Sequence, residues 1–300
     1  MNETYHIPVL LDESIDGLNI NRNGIYVDVT YGGGGHSSKI LEKLGAKGRL
    51  IAFDQDREAK ANVIQDKRIT FINHNFRYMR NFLRYLKVEK VHGLIADLGV
   101  SSHHFDAPHR GFSFRFDGEL DMRMNTEAEN SAVFVLNTYS QEKLSRMFWD
   151  FGDLKEGRKL ATAIVQYRST KKIETVSQFI ESVNGLIPKH IENKFLAKVF
   201  QSIRMEVNSE TDALKELLMQ TPECIEKGGR LVVISYHSVE DKMVKDFIRS
   251  GNTEDKLEKD LYGNPLVPFK AIGKVLIPAG QEVDDNSRSR SAKLRIAERI

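Results

Sequence analysis

Four consecutive glycines stand between a strand-like run and a helix-like run in Asp28-Val-Thr-Tyr-Gly32-Gly-Gly-Gly35-His36. Glycine lets the backbone turn tightly and come close to a ligand, and the helix that follows offers unpaired N–H groups at its start. A dinucleotide loop would want a further glycine at position 37, after Gly32 and Gly34, yet Ser37 stands there. The spacing therefore favours another adenosine-containing ligand. Asp54, 20 residues past Gly34, ends a second strand-like run. Its two oxygens could accept both hydroxyls of a ribose, or it could cap the next helix, a role that suits Asp56 better. Asp97 opens Asp97-Leu-Gly-Val-Ser-Ser102. An acceptor there could hold the amino-acid end of a ligand, take up a substrate amine, or only close a turn.

Two further stretches have mixed readings. Arg110-Gly-Phe-Ser-Phe-Arg-Phe116, continuing to Asp121-Met-Arg-Met124, could stack on bases and pair with phosphates. A buried loop staple would also want three phenylalanines, and composition alone favours that packing over base stacking. In Ser235-Tyr-His-Ser-Val-Glu-Asp241, His237 with Glu240 or Asp241 could relay a proton. Ser238 also reads as a helix N-cap with Asp241 three residues on. His103, His104 and His109 lack a second ligand cluster at zinc-like spacing, so no metal is expected. Ser14, Ser101 and Ser235 lack the context of a hydrolase nucleophile.

The elements that would carry these groups alternate. Strands are expected at Gly24–Thr30, Arg49–Asp54, Arg68–Asn73 and Val91–Asp97, with helices at His36–Leu44, Arg57–Gln65 and Tyr78–Leu86 between them. That is the rhythm of a parallel α/β sheet, whose carboxyl edge binds ligands. From His103 to Met124 no period survives, and a long irregular loop inside a compact protein is usually functional. Residues 131–200 read as helical only. A helix at Thr211–Glu226, stopped by Gly228 and Gly229, precedes a strand at Arg230–Tyr236 and a helix at Val239–Arg249. Ala271–Ile277 and Ala292–Ala297 read as a late antiparallel pair.

Composition sets the outer limits. Forty per cent hydrophobic and 29% charged residues over 300 positions suit a soluble globular chain. One cysteine, Cys224, excludes an intramolecular disulfide and a cysteine metal cage. Residues 1–11 lack the pattern of a signal peptide, and no run approaches the ~20 apolar residues of a membrane span. The expectation is a cytosolic protein. A net charge of +2 does not announce nucleic acid. Arg77, Arg80, Arg84, Lys87 and Lys90 cluster, as do Arg288, Arg290, Lys293, Arg295 and Arg299, and solvated helix faces explain such runs more often than phosphate contacts do.

Taken together, these stretches closely resemble the MraW (RsmH) family of 16S ribosomal RNA cytosine-N4 methyltransferases. The likeness runs through His6-Ile-Pro-Val-Leu-Leu11, the glycine loop with His36-Ser37, Asp54-Gln-Asp56, Asp97 to Ser102, and Arg110-Gly-Phe-Ser-Phe114. It continues in Leu120-Asp-Met-Arg-Met124, Phe200-Gln-Ser-Ile-Arg204, Val207-Asn208, Gly228 to Asp241 and Arg288-Ser-Arg-Ser-Ala-Lys-Leu294. The resemblance implies an α/β fold: a Rossmann-like, S-adenosylmethionine-dependent methyltransferase core with a mostly parallel sheet, plus a helical inserted domain. The core would be residues 1–107 and 205–300, and 108–204 the insertion that recognises substrate. Family cofactor contacts map to Gly34, Gly35, His36, Asp54, Phe76 and Asp97. One further family cofactor contact is usually a glutamine, and His104, which can still donate or accept, stands in its place. Asp97 is also the candidate catalytic acceptor, and Arg110, Phe112, Arg123, Tyr236 and His237 are candidate contacts to RNA or the target base. Trp149-Asp-Phe-Gly-Asp153 departs from the usual Tyr-Gly-Glu-Glu-like stretch and inherits no role. The implied partner is 16S rRNA within the small subunit, in the cytoplasm, with no membrane and no metal; a homodimer is compatible with the sequence. A methyltransferase for a small molecule or protein, and a non-enzymatic RNA-binding protein, are the competing readings.

Overall fold

The computed structural model describes residues 8–100 and 102–300, and of Ser102 and His103 the backbone alone. His6, Ile7 and Ser101, singled out above, lie outside the described residues. The chain divides into two compact units. One runs up to Gly99 and resumes at Thr211 to the end; the other is Val100–Glu210.

Along the chain, α1 (Leu11–Gly17), β1 (Ile25–Asp28), α2 (Gly35–Lys43), β2 (Arg49–Phe53), β3 (Ile69–Ile72), α3 (Met79–Tyr85) and β4 (Val91–Leu98) come first. The second unit contributes α4 (Ser102–Asp106), α5 (Ala132–Thr138), α6 (Gln141–Gly152), α7 (Gly157–Arg168), α8 (Val176–Val183) and α9 (Glu192–Val207). Next come α10 (Glu210–Cys224), β5 (Ile225–Ser235), α11 (Ser238–Ser250), β6 (Phe269–Ala271), α12 (Gly280–Asp285) and β7 (Lys293–Arg299).

The first unit is a seven-stranded sheet in the order β3-β2-β1-β4-β5-β7-β6. Five strands are parallel, and β7 runs antiparallel to both β5 and β6. The period of two along each strand sorts its side chains to opposite faces. Val27, Leu94, Ala96, Leu231 and Val233 join one buried cluster with α3, α10 and α11. Tyr26, Ile95, Val232 and Ile234 join another with α1 and α2. Asp28, Asp97 and Tyr236 share the parity of this second set. β1, β4 and the first residue past β5 therefore aim them at the same face, the one α2 covers.

Four expectations need correction. The stretch 57–65 is only a short 3-10 turn, Glu58–Asn62. There the Tyr31 hydroxyl donates to the Asn62 carbonyl and accepts from the Ile64 amide, which pulls the chain out of helical register. The helix before β5 ends at Cys224, and Gly228 and Gly229 sit inside β5, where the pairing with β4 shifts register between Val91 and Gly93. Gly228, at φ 81°, supplies the backbone that such an irregularity needs. The expected strand at Ala271–Ile277 reduces to Phe269–Ala271 plus a separate bridge from Leu276 to Leu294. Last, Ser238 is the first residue of α11 rather than its cap.

The second unit packs its helices around Leu136, Phe148, Leu160, Phe179, Val199 and Ile203, all buried. The irregular loop is tied into this core. The Leu120 amide donates to the Glu174 carbonyl, the Val176 amide to Gly118, and Phe114 meets Phe200 edge-on. Asn208 accepts from the Met124 amide at 2.7 Å and donates to the Met122 carbonyl at 2.8 Å.

Candidate active site

The glycine loop leaves β1 and is fixed from below. Asp28 is buried, accepts from the Ser37 hydroxyl at 2.7 Å and accepts from the Thr30 amide at 3.1 Å. Burial raises its proton affinity. Gly34 turns the chain at φ 80° into α2. At Gly32 and Gly33 a β-carbon would meet nothing within 4 Å, so the loop borders open space there. Asp54, at the end of β2, accepts from the Gly32 amide and the Asp56 amide, each at 2.8 Å. These bonds fix the carboxylate beside the glycine loop, and its paired oxygens are the acceptor geometry that suits the two hydroxyls of a ribose. Asp56 is buried and accepts from the Glu58 amide.

His36, in the first turn of α2, is buried. Burial holds its proton affinity below the ordinary histidine range, so the ring is neutral near pH 7. Among the described residues, nothing partners its Nε2, and an unpaired buried polar atom costs stability that a ligand could restore. Phe76 follows β3 in a 3-10 turn and packs partly against the sheet core.

Asp97 ends β4. Its amide donates to the Thr30 hydroxyl at 2.7 Å, its Oδ1 accepts from the Tyr236 hydroxyl at 2.8 Å, and its Oδ2 lies 3.9 Å from His36 Nδ1. Burial pushes its carboxyl up to about 7, against the Tyr236 hydrogen bond, which lowers it, and with Glu240, which raises it. The side chain keeps 22% of its surface exposed. Tyr236 is held far above the ordinary phenol range by burial and by the Asp97 carboxylate, and so stays a donor. A β-carbon on Gly99 would stand 2.9 Å from the Tyr236 ring, so only glycine lets that ring lie over the strand end. The Tyr236 amide donates to Glu240 at 3.1 Å.

His237 caps α11 by position, without a side-chain cap bond. Its Nε2 lies 2.9 Å from Glu240, out of line for a hydrogen bond. Asp241, expected at a cap, pairs instead with Lys293 and Arg295 on β7. Thr30 was not expected at this site; Asp28 and Ser37 belong to the glycine-loop stretch but carried no expected role, and Glu240, a candidate relay partner of His237, instead accepts from the Tyr236 amide. Asp28 and Thr30 are signalled by position alone, at the end of β1 where the glycine loop begins.

The remaining candidates belong to the second unit. His104 is buried, its ring 4.7 Å from that of Phe112, which is buried too. Arg110 is 2% exposed and donates to the carbonyls of Arg123 and Met124. Arg123 grips Asp121 with two bonds, at 2.6 and 2.8 Å, and the Ala128 carbonyl with a third. In this conformation these arginines close the loop rather than meet phosphates.

Comparison with known proteins gives a consistent picture. The profile of the MraW methylase family matches residues 3–300. Ribosomal RNA small subunit methyltransferase H of Bacteroides thetaiotaomicron is 54% identical over 99% of this chain and 98% of its own. The protein of that name from Parabacteroides distasonis is 55% identical over the same shares. A crystal structure of an rRNA methylase from Streptococcus thermophilus aligns over 98% of this chain and 99% of that one, at 14% identity and a TM-score of 0.43.

Proposed function

The chain belongs to the MraW methylase family, and from that premise we propose that it moves the methyl group of S-adenosylmethionine to the exocyclic N4 of a cytosine in the decoding region of 16S ribosomal RNA. The residues present suit the cofactor. Gly32 and Gly33 border open space, Asp54 is tied to that loop through the Gly32 amide, and His36 Nε2 is a buried donor or acceptor in want of a partner. Gly34, Gly35, His36, Asp54, Phe76 and Asp97 would hold it. When bound, it supplies a methyl group on a sulfonium, a leaving group that departs neutral.

The protein's own contribution is positioning and proton management. Cytosine's amine is a weak nucleophile because its lone pair is delocalised into the ring, so alignment and exclusion of water carry much of the rate. In the transfer the N4–methyl bond forms as the sulfur–methyl bond breaks, and the amine loses one proton. Asp97 is the acceptor for that proton. A base is most effective when its proton affinity matches the working pH, and burial brings Asp97 to about 7. Tyr236 orients it, donating at 2.8 Å to one oxygen and leaving the other for the amine. His36, neutral, does not compete as a cation.

The observation that carries this reading is the meeting of the glycine loop, Asp54 and a Tyr236-held Asp97 at one carboxyl edge, where open α/β sheets bind ligands. The target base must leave its stack, which RNA loops permit at less cost than duplexes. The partner is the small ribosomal subunit and the setting the cytoplasm; among the described residues no helix is long and apolar enough to cross a membrane. The test is to incubate the protein with methyl-labelled S-adenosylmethionine and small subunits lacking the modification. Label on the RNA is the expected result. Label only on protein, or no heat on titrating the cofactor into folded protein, overturns the reading.

A further inference from the structure

A second binding feature lies wholly within the helical unit. One face of α6 buries Leu144, Met147 and Phe148, while the other presents Gln141, Glu142, Ser145, Arg146 and Trp149 at helical spacing. The helix ends at Asp153, at φ 48°, whose amide returns to the Trp149 carbonyl. The Leu154 amide returns to Phe148, and Leu154 is buried. Gly157 then starts α7 hard against α6, since a β-carbon there would stand 3.0 Å from the Ser145 carbonyl. This closed turn holds Lys155 and Arg158 beside Trp149, around a cleft of about 440 Å³.

The lining is chemically lopsided. Arg146, Lys155 and Arg158 bring three positive charges against the single carboxylate of Glu142, which is engaged with the Ser140 cap. Among the described residues, none of these three cations has a side-chain hydrogen bond or ion pair. Trp149 is 58% exposed and, among the described residues, stacks on no other ring. An indole face flanked by unpaired cations is what single-stranded nucleic acid uses: the base stacks, and neighbouring phosphates meet the charges.

We propose that this cleft binds a single-stranded segment of the substrate RNA, one base stacked on Trp149 and its flanking phosphates held by Arg146, Lys155 and Arg158. The identity of the strand rests on the RNA methyltransferase reading; the cleft itself does not. An acidic peptide would satisfy the charges but leave the indole without a planar partner.

Trp149 is the only tryptophan in the chain, so its emission reports on this cleft alone. The probe is a mixed-sequence single-stranded oligoribonucleotide of about ten nucleotides, titrated into the full chain while fluorescence and the anisotropy of end-labelled RNA are both read. Saturable quenching is expected. Trp149→Ala should weaken anisotropy-detected binding about tenfold or more. Arg146→Gln with Arg158→Gln should reduce the slope of log affinity against log salt by about 1.4, and Lys87→Gln in the sheet unit should leave it unchanged. The altered residues are exposed, so melting temperatures should match the parent's and confirm folding. RNA that saturates by anisotropy without touching the emission, or a polyglutamate peptide that quenches where RNA does not, overturns the proposal. Methyl transfer measured on the same preparation separates the two readings: transfer intact with no quenching rejects the cleft alone.

Discussion

If Tyr236 tunes Asp97, removing its hydroxyl should move the pH dependence of the reaction rather than simply lower the rate. The Tyr236 hydroxyl donates to Asp97 Oδ1 at 2.8 Å, and Asp97 sits at about 7 because burial outweighs that bond. A hydrogen bond to a charged group is worth about 1.5–3 kcal/mol and to a neutral one about 0.5–1.5. The hydroxyl therefore favours the carboxylate over the acid by roughly 1 to 1.5 kcal/mol, or about one pH unit. Tyr236→Phe loses that preference. The acidic limb of kcat/KM for the cofactor, which reports the free enzyme, should move from near 7 to roughly one pH unit higher. Well below the limb the variant should be about tenfold slower than the parent; well above it the two should converge. His36 stays neutral because burial lowers its proton affinity, and Glu240, which raises that of Asp97, is unchanged in the variant. The assay is initial-rate transfer of labelled methyl to undermethylated small subunits across the range, with the parent alongside. A limb that stays in place, or a defect of equal size at every pH, would refute the reasoning.

Other outcomes follow from the same geometry. Gly33→Ala places a methyl group in open space, so the melting temperature should hold while calorimetry shows cofactor affinity falling at least about tenfold; unchanged affinity would mean that the ligand avoids this loop. Gly34→Ala should instead cost about 1–2 kcal/mol of stability by forcing a side chain into left-handed backbone, seen as a melting point several degrees lower. Asp97→Asn should abolish turnover yet stabilise the ligand-free protein above pH 7. The folded group binds its proton more tightly than the unfolded one, so ionising it costs stability as pH rises from about 4 to about 7, by at most about 4 kcal/mol. Thermal melts should thus favour Asn at pH ~8 and show no gain at pH ~4; a loss at the higher pH would contradict the assignment. Arg110→Met removes the guanidinium bonds to the carbonyls of Arg123 and Met124 from a buried loop and should destabilise by about 1–3 kcal/mol in urea. Unchanged stability with weakened RNA binding would restore the phosphate contact that its sequence context suggests.

Much of the sheet was legible because its signal is local. Buried strands such as Ile25–Asp28 and Val91–Leu98 are runs of β-branched and aliphatic residues closed by glycine or acid. The same locality made the glycine loop and Asp54 readable. What escaped depends on partners far away in the chain. The turn at Glu58–Asn62 looks helical by composition, and it is the hydroxyl of Tyr31, about thirty residues earlier, that holds it open. Asp241 has the spacing of a capping box, but Lys293 and Arg295 claim it across the sheet. Arg110 and Arg123 have the look of phosphate ligands, and no local rule distinguishes a guanidinium that meets RNA from one that staples its own loop. The Tyr236–Asp97 bond was out of reach for the same reason: it joins residues 139 positions apart that only the β4–β5 register brings together.

The most direct test resolves the product to a single atom. Small subunits lacking the modification, treated with the protein and S-adenosylmethionine, would be stripped to RNA, digested to nucleosides and analysed by mass spectrometry beside authentic standards. The proposed chemistry requires N4-methylcytidine in step with S-adenosylhomocysteine, and neither with Asp97→Asn. A methyl group on carbon 5 or a ribose oxygen, or S-adenosylhomocysteine formed with cytidine unmodified, would contradict it.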